Sequence, residues 1–371
     1  RATSTSVTNI RRIVILSSCS AAAALLWLAW SVSSQRWACL GLAAACVGWA
    51  LTSSRGRVVA VNLSALALIS FAYLSFREPV ELWQQFSHRE DVFVRDPVLG
   101  HRPAPNMHTR ARGYGNGILV YDVEYDIDAY GLRVGPPEDP SAPAACILFF
   151  GGSYTYGEGV ENEETMPYRV GVALEGRYRV RNFAYSGYGP HHMLAQIESG
   201  FVERNARCQP EIAVLQVIPH HALRISGKWA WDEFGPRYVL AEGGRVERVG
   251  NLGQIDETDD QTRDATAADI RLLHGIVLRS RDLLEARFPG IEFHVLHWDV
   301  GPPPLFRDGW WDERIVVHRL SRLLPFGDWF WRWKILMPLD GHPRPATHAR
   351  IAQYVVDQII DGREQGSAHA D

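Results

Sequence analysis

The chain has 371 residues, 46% apolar and 22% charged, with a formal net charge of -4. That length and composition belong to a folded protein of one large or two modest domains, not to a disordered segment. A charge so close to balance gives no reason to expect a polyanionic partner, so nucleic-acid binding is excluded.

The first region is apolar. Charged residues are absent from Ile13 to Gln35, from Trp37 to Ser54 and from Val58 to Phe76, which are runs of 23, 18 and 19 residues. About 20 helical residues cross a hydrocarbon core of roughly 30 Å. Residues 1–76 are therefore expected to form a membrane domain of three transmembrane helices, with a buried or interfacial hairpin as the alternative for the Ala- and Gly-rich middle run. Two further runs follow the first, which argues against a cleaved signal peptide. The lipoprotein-like box Leu16, Ser17, Ser18, Cys19 follows Arg11 and Arg12 too closely for a normal leader and reads as coincidence. Arg1, Arg11 and Arg12 precede the first run, Arg36 the second, and Arg55 and Arg57 the third. The positive-inside rule then puts the N-terminus in the cytoplasm and everything after Phe76 in the periplasm or outside the cell. The expected location is the inner (cytoplasmic) membrane, multi-pass, with the lipid bilayer as a partner.

Residues 77–144 are rich in Pro and Gly. The alternation through Ile118, Val120, Asp122, Glu124, Asp126 and Asp128 predicts a strand with one buried face. This region reads as a β-rich collar, closed by the Pro-rich stretch 136–143. From residue 145 to the end, strand-like runs over Cys146–Phe150, Tyr178–Phe183, Ile212–Ile218 and Ile291–His297 alternate with helical patterns over Met166–Glu175, His191–Asn205 and Ala267–Phe288. Such alternation predicts a parallel sheet wrapped by helices, an α/β fold whose reactive groups gather at the carboxyl ends of the strands. The acidic stretch 256–269 lacks calcium-loop spacing and reads as a solvated loop and helix start.

Of five cysteines, only Cys146 and Cys208 lie beyond the apolar runs. They can form a disulfide in an oxidising compartment, but the sequence does not place their Cα atoms within bridging distance, and two reduced thiols are the expectation.

Three blocks can carry chemistry. The first predicted strand runs directly into Gly151, Gly152, Ser153, Tyr154 and Thr155, where two glycines permit a tight turn that presents the serine at the sheet edge. It lacks the Gly-Lys-[Ser/Thr] ending of a P-loop and the Rossmann glycine pattern. The second predicted strand ends in Asn182, Phe183, Ala184, Tyr185, Ser186, Gly187. Near the C-terminus, Asp340, Gly341, His342 and Pro343 precede an amphipathic helix over about 347–360. An Asp two residues from a His on one loop can fix the tautomer of a general base and stabilise its imidazolium.

Together these blocks resemble the SGNH, or GDSL-like, hydrolase superfamily over about residues 145–360. The resemblance implies a flavodoxin-like three-layer α/β/α sandwich and a Ser153, His342, Asp340 triad, with Gly187 donating its backbone N–H to the oxyanion. Gly152 stands where the family commonly has Asp. The family's third block, Gly-x-Asn-Asp, is missing: Ile218, Pro219, His220 and His221 stand there, so His220, or else His221, is expected to replace the Asn amide as a donor. The two histidine doublets, His191–His192 and His220–His221, point in different directions along a helix or strand and lack zinc-site company. No cofactor or metal is expected. Trp310, Trp311, Trp329, Trp331 and Trp333, with Phe326 and Phe330, read as a lid or pocket wall, with core packing and a bilayer anchor as alternatives.

The combined expectation is a membrane-anchored SGNH-type serine esterase or O-acyl transferase, acting outside the cytoplasm on a small or carbohydrate ester. The alternative is an accessory subunit that uses the fold as a scaffold and packs its three helices against a membrane-protein partner.

Overall fold

A computed structural model describes residues 45, 62–69, 93–115, 118–139, 144–228, 233–253, 265–299, 311–324 and 334–363. Contacts divide the chain into Arg1–Trp83 and Gln84–Asp371.

The first unit corrects the expectation of a multi-pass membrane protein. Among the described residues no helix is long and apolar enough to cross a membrane. The first apolar run lies outside the described residues, the second contributes Ala45 alone, and the third appears as helix over 62–69. Three spans before the α/β domain, the membrane-anchored form of the family, the topology with a periplasmic or extracellular domain, the bilayer partner and the membrane-protein partner all depended on those helices and fall with them. The physical reason is that a charge-free run permits a span without requiring one.

In the second unit, β1 (Phe93–Asp96) and β2 (Gly100–Pro103) form a short antiparallel pair, and β3 (Met107–Gly115) pairs antiparallel with β4 (Ile118–Ile127). In β4 the odd positions Tyr121, Val123, Tyr125 and Ile127 are buried, while Asp122, Glu124 and Asp126 lie on the opposite face, as a period of two requires. Arg133 bridges this hairpin to the main sheet, pairing with Ile127 and with Asn182.

The main sheet has five parallel strands in the order β11–β10–β7–β5–β6: β5 is Ala145–Phe150, β6 Arg179–Asn182, β7 Gln209–Val217, β10 Glu292–His297 and β11 Val316–Arg319. A separate antiparallel pair, β8 (Pro236–Leu240) and β9 (Val246–Asn251), lies between β7 and β10 in the chain. Helices are α1 (Ser153–Tyr156), α2 (Met166–Ala173), α3 (Pro190–Glu198), α4 (Phe201–Ala206), α5 (His220–Ile225), α6 (Ala267–Arg287) and α7 (Pro345–Val355).

Alternate residues of the central strands serve two cores. Leu148, Phe150, Leu215 and Val295 pack with α3 and α6 on one face. Ile147, Phe149, Val214 and Leu296 pack with α2 and α7 on the other. This is a three-layer α/β/α arrangement, and each fully buried Leu, Ile or Phe contributes about 1.5–3 kcal/mol.

Two local differences from expectation have simple causes. The helix expected over 191–205 is broken where Gly200 adopts φ 70°, a left-handed conformation that starts α4 in a new direction. Cys146 and Cys208 are bridged, with Cα atoms 5.9 Å apart, so the expectation of reduced thiols is corrected. Strands β5 and β7 are neighbours in register, with Ala145 opposite Gln209. That adjacency brings Cys208 beside Cys146 at ordinary bridging distance.

Candidate active site

Strand β5 is buried throughout Cys146–Phe150 and ends in the two glycines that precede Ser153. At Gly151 a Cβ would collide with the Thr155 side chain. At Gly152 it would lie 2.7 Å from the Tyr188 carbonyl oxygen, 3.1 Å from Arg224 Nη1 and 3.3 Å from His221 Nε2. An Asp side chain has no room here, because the Tyr188 carbonyl, Arg224 and His221 fill that space. Ser153 opens α1 and is 3% exposed. Thr155 Oγ1 donates to Gln216 Oε1 of β7 at 2.8 Å, and Asn182 Nδ2 donates to the Thr155 carbonyl at 3.2 Å. These two bonds tie the turn bearing Ser153 to both neighbouring strands.

The segment after β6 makes a turn in which Tyr188 N donates to Tyr185 O at 3.0 Å, with Gly187 at φ 80°. That angle at the third turn position favours glycine. The Tyr188–Gly189 peptide lies against Gly152, since the Tyr188 carbonyl is the atom a Cβ there would strike.

The C-terminal loop is tightly built. Met337 N donates to His342 O at 2.8 Å and Gly341 N to Met337 O at 3.0 Å, while Leu339 takes φ 65°, a conformation costly for a branched side chain. Asp340 Oδ1 accepts from His342 N at 3.0 Å and sits 2.6 Å from His342 Nδ1. Both side chains are nearly inaccessible, 2% exposed for His342 and 3% for Asp340. Tyr154, next to Ser153, donates its hydroxyl to Gly341 O at 2.8 Å and sets its ring edge-on to His342 at 5.5 Å. The structure thus brings together the loops of Ser153 and of the Asp340–His342 pair. Ser153 Oγ itself makes no hydrogen bond with a described residue; such bonds often tighten only once substrate binds.

Burial opposes charge on His342, but Asp340 and then Glu158 outweigh it and push the imidazole up to about 9. Asp340, although burial favours its neutral form, is held below the usual carboxylate range by the His342 charge and hydrogen bonds. Glu158 carries no role in the sequence reading, yet its Oε2 lies 3.7 Å from His342 Nε2 and accepts from Ser186 Oγ at 2.6 Å. Its only sequence signal is an acid set between Gly157 and Gly159 directly after the serine turn.

Neutral rings gather beside Gly152, the residue before Ser153. His221 is 1% exposed, whereas His220 lies at the surface. Ile218 N donates to His221 Nδ1 at 3.3 Å, which leaves the ring proton on Nε2. That Nε2 is buried with no hydrogen-bond partner among the described residues and borders the Gly152 backbone. Burial, then Arg224, His191 and His220, drive the His221 pKa well below its ordinary value. His192 Nδ1 accepts from Gly189 N at 3.3 Å and its ring stacks on Tyr188 at 4.1 Å. His191 is pulled down to about 3 by burial and then by Arg224. Arg224 donates to the Tyr188 carbonyl at 2.9 Å and is itself lowered to about 10 by burial, against the pull of Glu158. Of the tryptophan-rich segment only Trp311 falls among the described residues, and its ring lies 4.8 Å from that of His274 and 5.8 Å from that of His297.

No protein-family model and no curated protein matches the chain. Solved structures do. An acetyl xylan esterase, Est2A, from the rumen bacterium Butyrivibrio proteoclasticus is similar over 70% of this chain and 85% of its own, at 11% identity and a TM-score of 0.40. TesA is similar over 58% and 98%, at 16% identity and a TM-score of 0.35. A carbohydrate esterase family 2 enzyme from Corynascus thermopiles is similar over 64% and 71%, at 15% identity and a TM-score of 0.33. At such low scores these likenesses carry no part of the functional argument, which rests on the chain's own geometry.

Proposed function

We propose that the protein is a serine ester hydrolase with Ser153 as nucleophile, His342 as general base and Asp340 as the group that orients it. The observation that carries this reading is the buried Asp340–His342 contact of 2.6 Å, on a loop held by the residue next to Ser153.

Neutral His342 takes the proton from Ser153 Oγ as the oxygen bonds to the ester carbonyl carbon. The backbone N–H groups of Ser153 and Gly187 and the Nε2–H of His221 serve as oxyanion donors, His221 in place of the family's Asn. The alkoxide then departs with the proton from His342 Nε2, leaving an acyl-enzyme. Water, deprotonated by the same nitrogen, releases the acid and restores Ser153. His221 suits the donor role because it stays neutral with its proton on Nε2.

The test is hydrolysis of a short-chain aryl ester, together with labelling by a serine-directed phosphonate. Ser153→Ala should remove turnover by about 10⁴-fold or more and remove the label while leaving the circular dichroism spectrum intact. Folded wild-type protein that neither turns over nor takes the label would end the proposal.

A further inference from the structure

His342 lies between two carboxylates, and only one belongs to the triad. Asp340 faces Nδ1 at 2.6 Å and Glu158 faces Nε2 at 3.7 Å. Nε2 is the nitrogen that must accept the Ser153 proton, so the second carboxylate competes with the nucleophile for the same atom.

Glu158 is held in that place from several sides. Its backbone N–H donates to the Ser153 carbonyl at 3.0 Å. Arg133, 3% exposed, clamps the segment on both sides of it by donating to the Tyr156 carbonyl at 2.8 Å, to the Val160 carbonyl at 2.6 Å and to the Gly157 carbonyl. Gly159 N donates to Tyr125 Oη at 2.8 Å. The carboxylate itself accepts from Ser186 Oγ at 2.6 Å, and its side chain is only 13% exposed. A loose surface acid would leave this position. A tethered and nearly buried one persists.

The other charged or titratable groups facing the His342–Glu158 pair come from four elements and from the turn after β6, where Tyr185, like Tyr125 of β4 and Tyr156 of α1, feels the Glu158 charge. Arg224 of α5 opposes charge on His342 and attracts Glu158. Tyr121 of β4 feels both Glu158 and Asp340. Tyr154 of α1 sets its ring against His342, and His348 of α7 senses the His342 charge. Arg224 is the cation among them that disfavours the imidazolium, less than the two carboxylates favour it, and it is shared with the Tyr188 carbonyl.

We propose that Glu158 is a positioning residue that sets the working pH of the site: tethered by Ser186, it pairs with His342 Nε2 and holds the imidazolium until the ring loses that proton to solvent. This rests on the reading of Ser153 and His342 as nucleophile and base. The imidazolium must give its Nε2 proton to water before it can take the one on Ser153 Oγ. Activity therefore rises with pH along a limb that belongs to His342.

The ion pair is measurable without turnover, by following the His342 ring resonances by NMR from about pH 5 to about pH 11, assigned by their loss in His342→Gln. Wild type should titrate near 9, Glu158→Gln lower by about one unit or more, and Ser186→Ala lower by less. In parallel, the acid limb of kcat/KM for an aryl acetate should move with the ring, raising the neutral-pH rate of Glu158→Gln about tenfold. A His342 titration unchanged in both folded variants overturns the proposal. Hydrolysis that survives Ser153→Ala would instead strike the nucleophile assignment, while the titration still decides the role of Glu158.

Discussion

His342 packs on Tyr154 and His221 borders Gly152, the two neighbours of Ser153, and each is 1% exposed, yet they are driven in opposite directions. His342 is pushed up to about 9 and His221 well below its ordinary value. Burial alone would lower both, because it disfavours the charged ring. The difference lies in the neighbours: two carboxylates for His342, and a guanidinium with other neutral rings for His221. In the proposed mechanism one residue type thereby yields a chargeable base and a neutral donor about Ser153. Divergent environments of this kind mark separate acid–base roles.

The comparison breaks most severely at Asp340. Asp340→Asn removes the larger of the two attractions that hold the imidazolium and presents an amide that can favour the wrong tautomer. A fall of about 10⁴ in kcat is expected for that change, with the His342 titration moving down. Stopped-flow or steady-state hydrolysis of an aryl ester measures it; a loss of less than tenfold would mean that Asp340 does not orient the base.

On the other side, His221→Phe keeps the ring's bulk and deletes its Nε2–H. Loss of one oxyanion donor costs about 10²–10³ in kcat, with KM little changed because the interaction belongs to the transition state. His220→Ala, at the exposed neighbour, should leave kcat near wild type. If the two substitutions behaved alike, the neutral side of the comparison would have no part in chemistry.

These two sides were not equally legible in the sequence. Asp340 and His342 sit two residues apart on one loop, and Ser153 follows a buried strand through two glycines, so local spacing was enough to pick them out. Arg224 reaches the site only because β5, β6 and β7 are neighbours and their trailing loops converge, which no local pattern reports; Glu158 directly follows the serine turn, but nothing local shows that its carboxylate turns to His342. The choice between His220 and His221 likewise depended on which ring α5 turns inward. The same adjacency of β5 and β7 closed the Cys146–Cys208 bridge. Strand β11 was missed because its four residues are half-exposed, without the alternation or apolar run that marks a strand. The apolar runs of residues 1–76 taught the opposite lesson, since hydropathy length suggested spans that the described helices do not supply.

The smallest effect, and the one that reads both groups at once, is the pH dependence of folding stability. His191, His192 and His221 have depressed values, so the unfolded chain binds protons near 6.5 that the native protein refuses. Their contribution is complete above about 6.5 and lost as pH falls through the acid range. His342 has the opposite sign: its raised value contributes stability that is complete below about 6.5 and lost as pH rises through about 9. Denaturant midpoints measured across pH should therefore peak near neutrality and fall on both sides, for separate reasons. His191→Phe should flatten the acid limb alone, and Glu158→Gln the alkaline limb alone. A substitution that changed both limbs together would show that the two histidine environments titrate as one coupled cluster, and the division drawn across Ser153 would have to be abandoned.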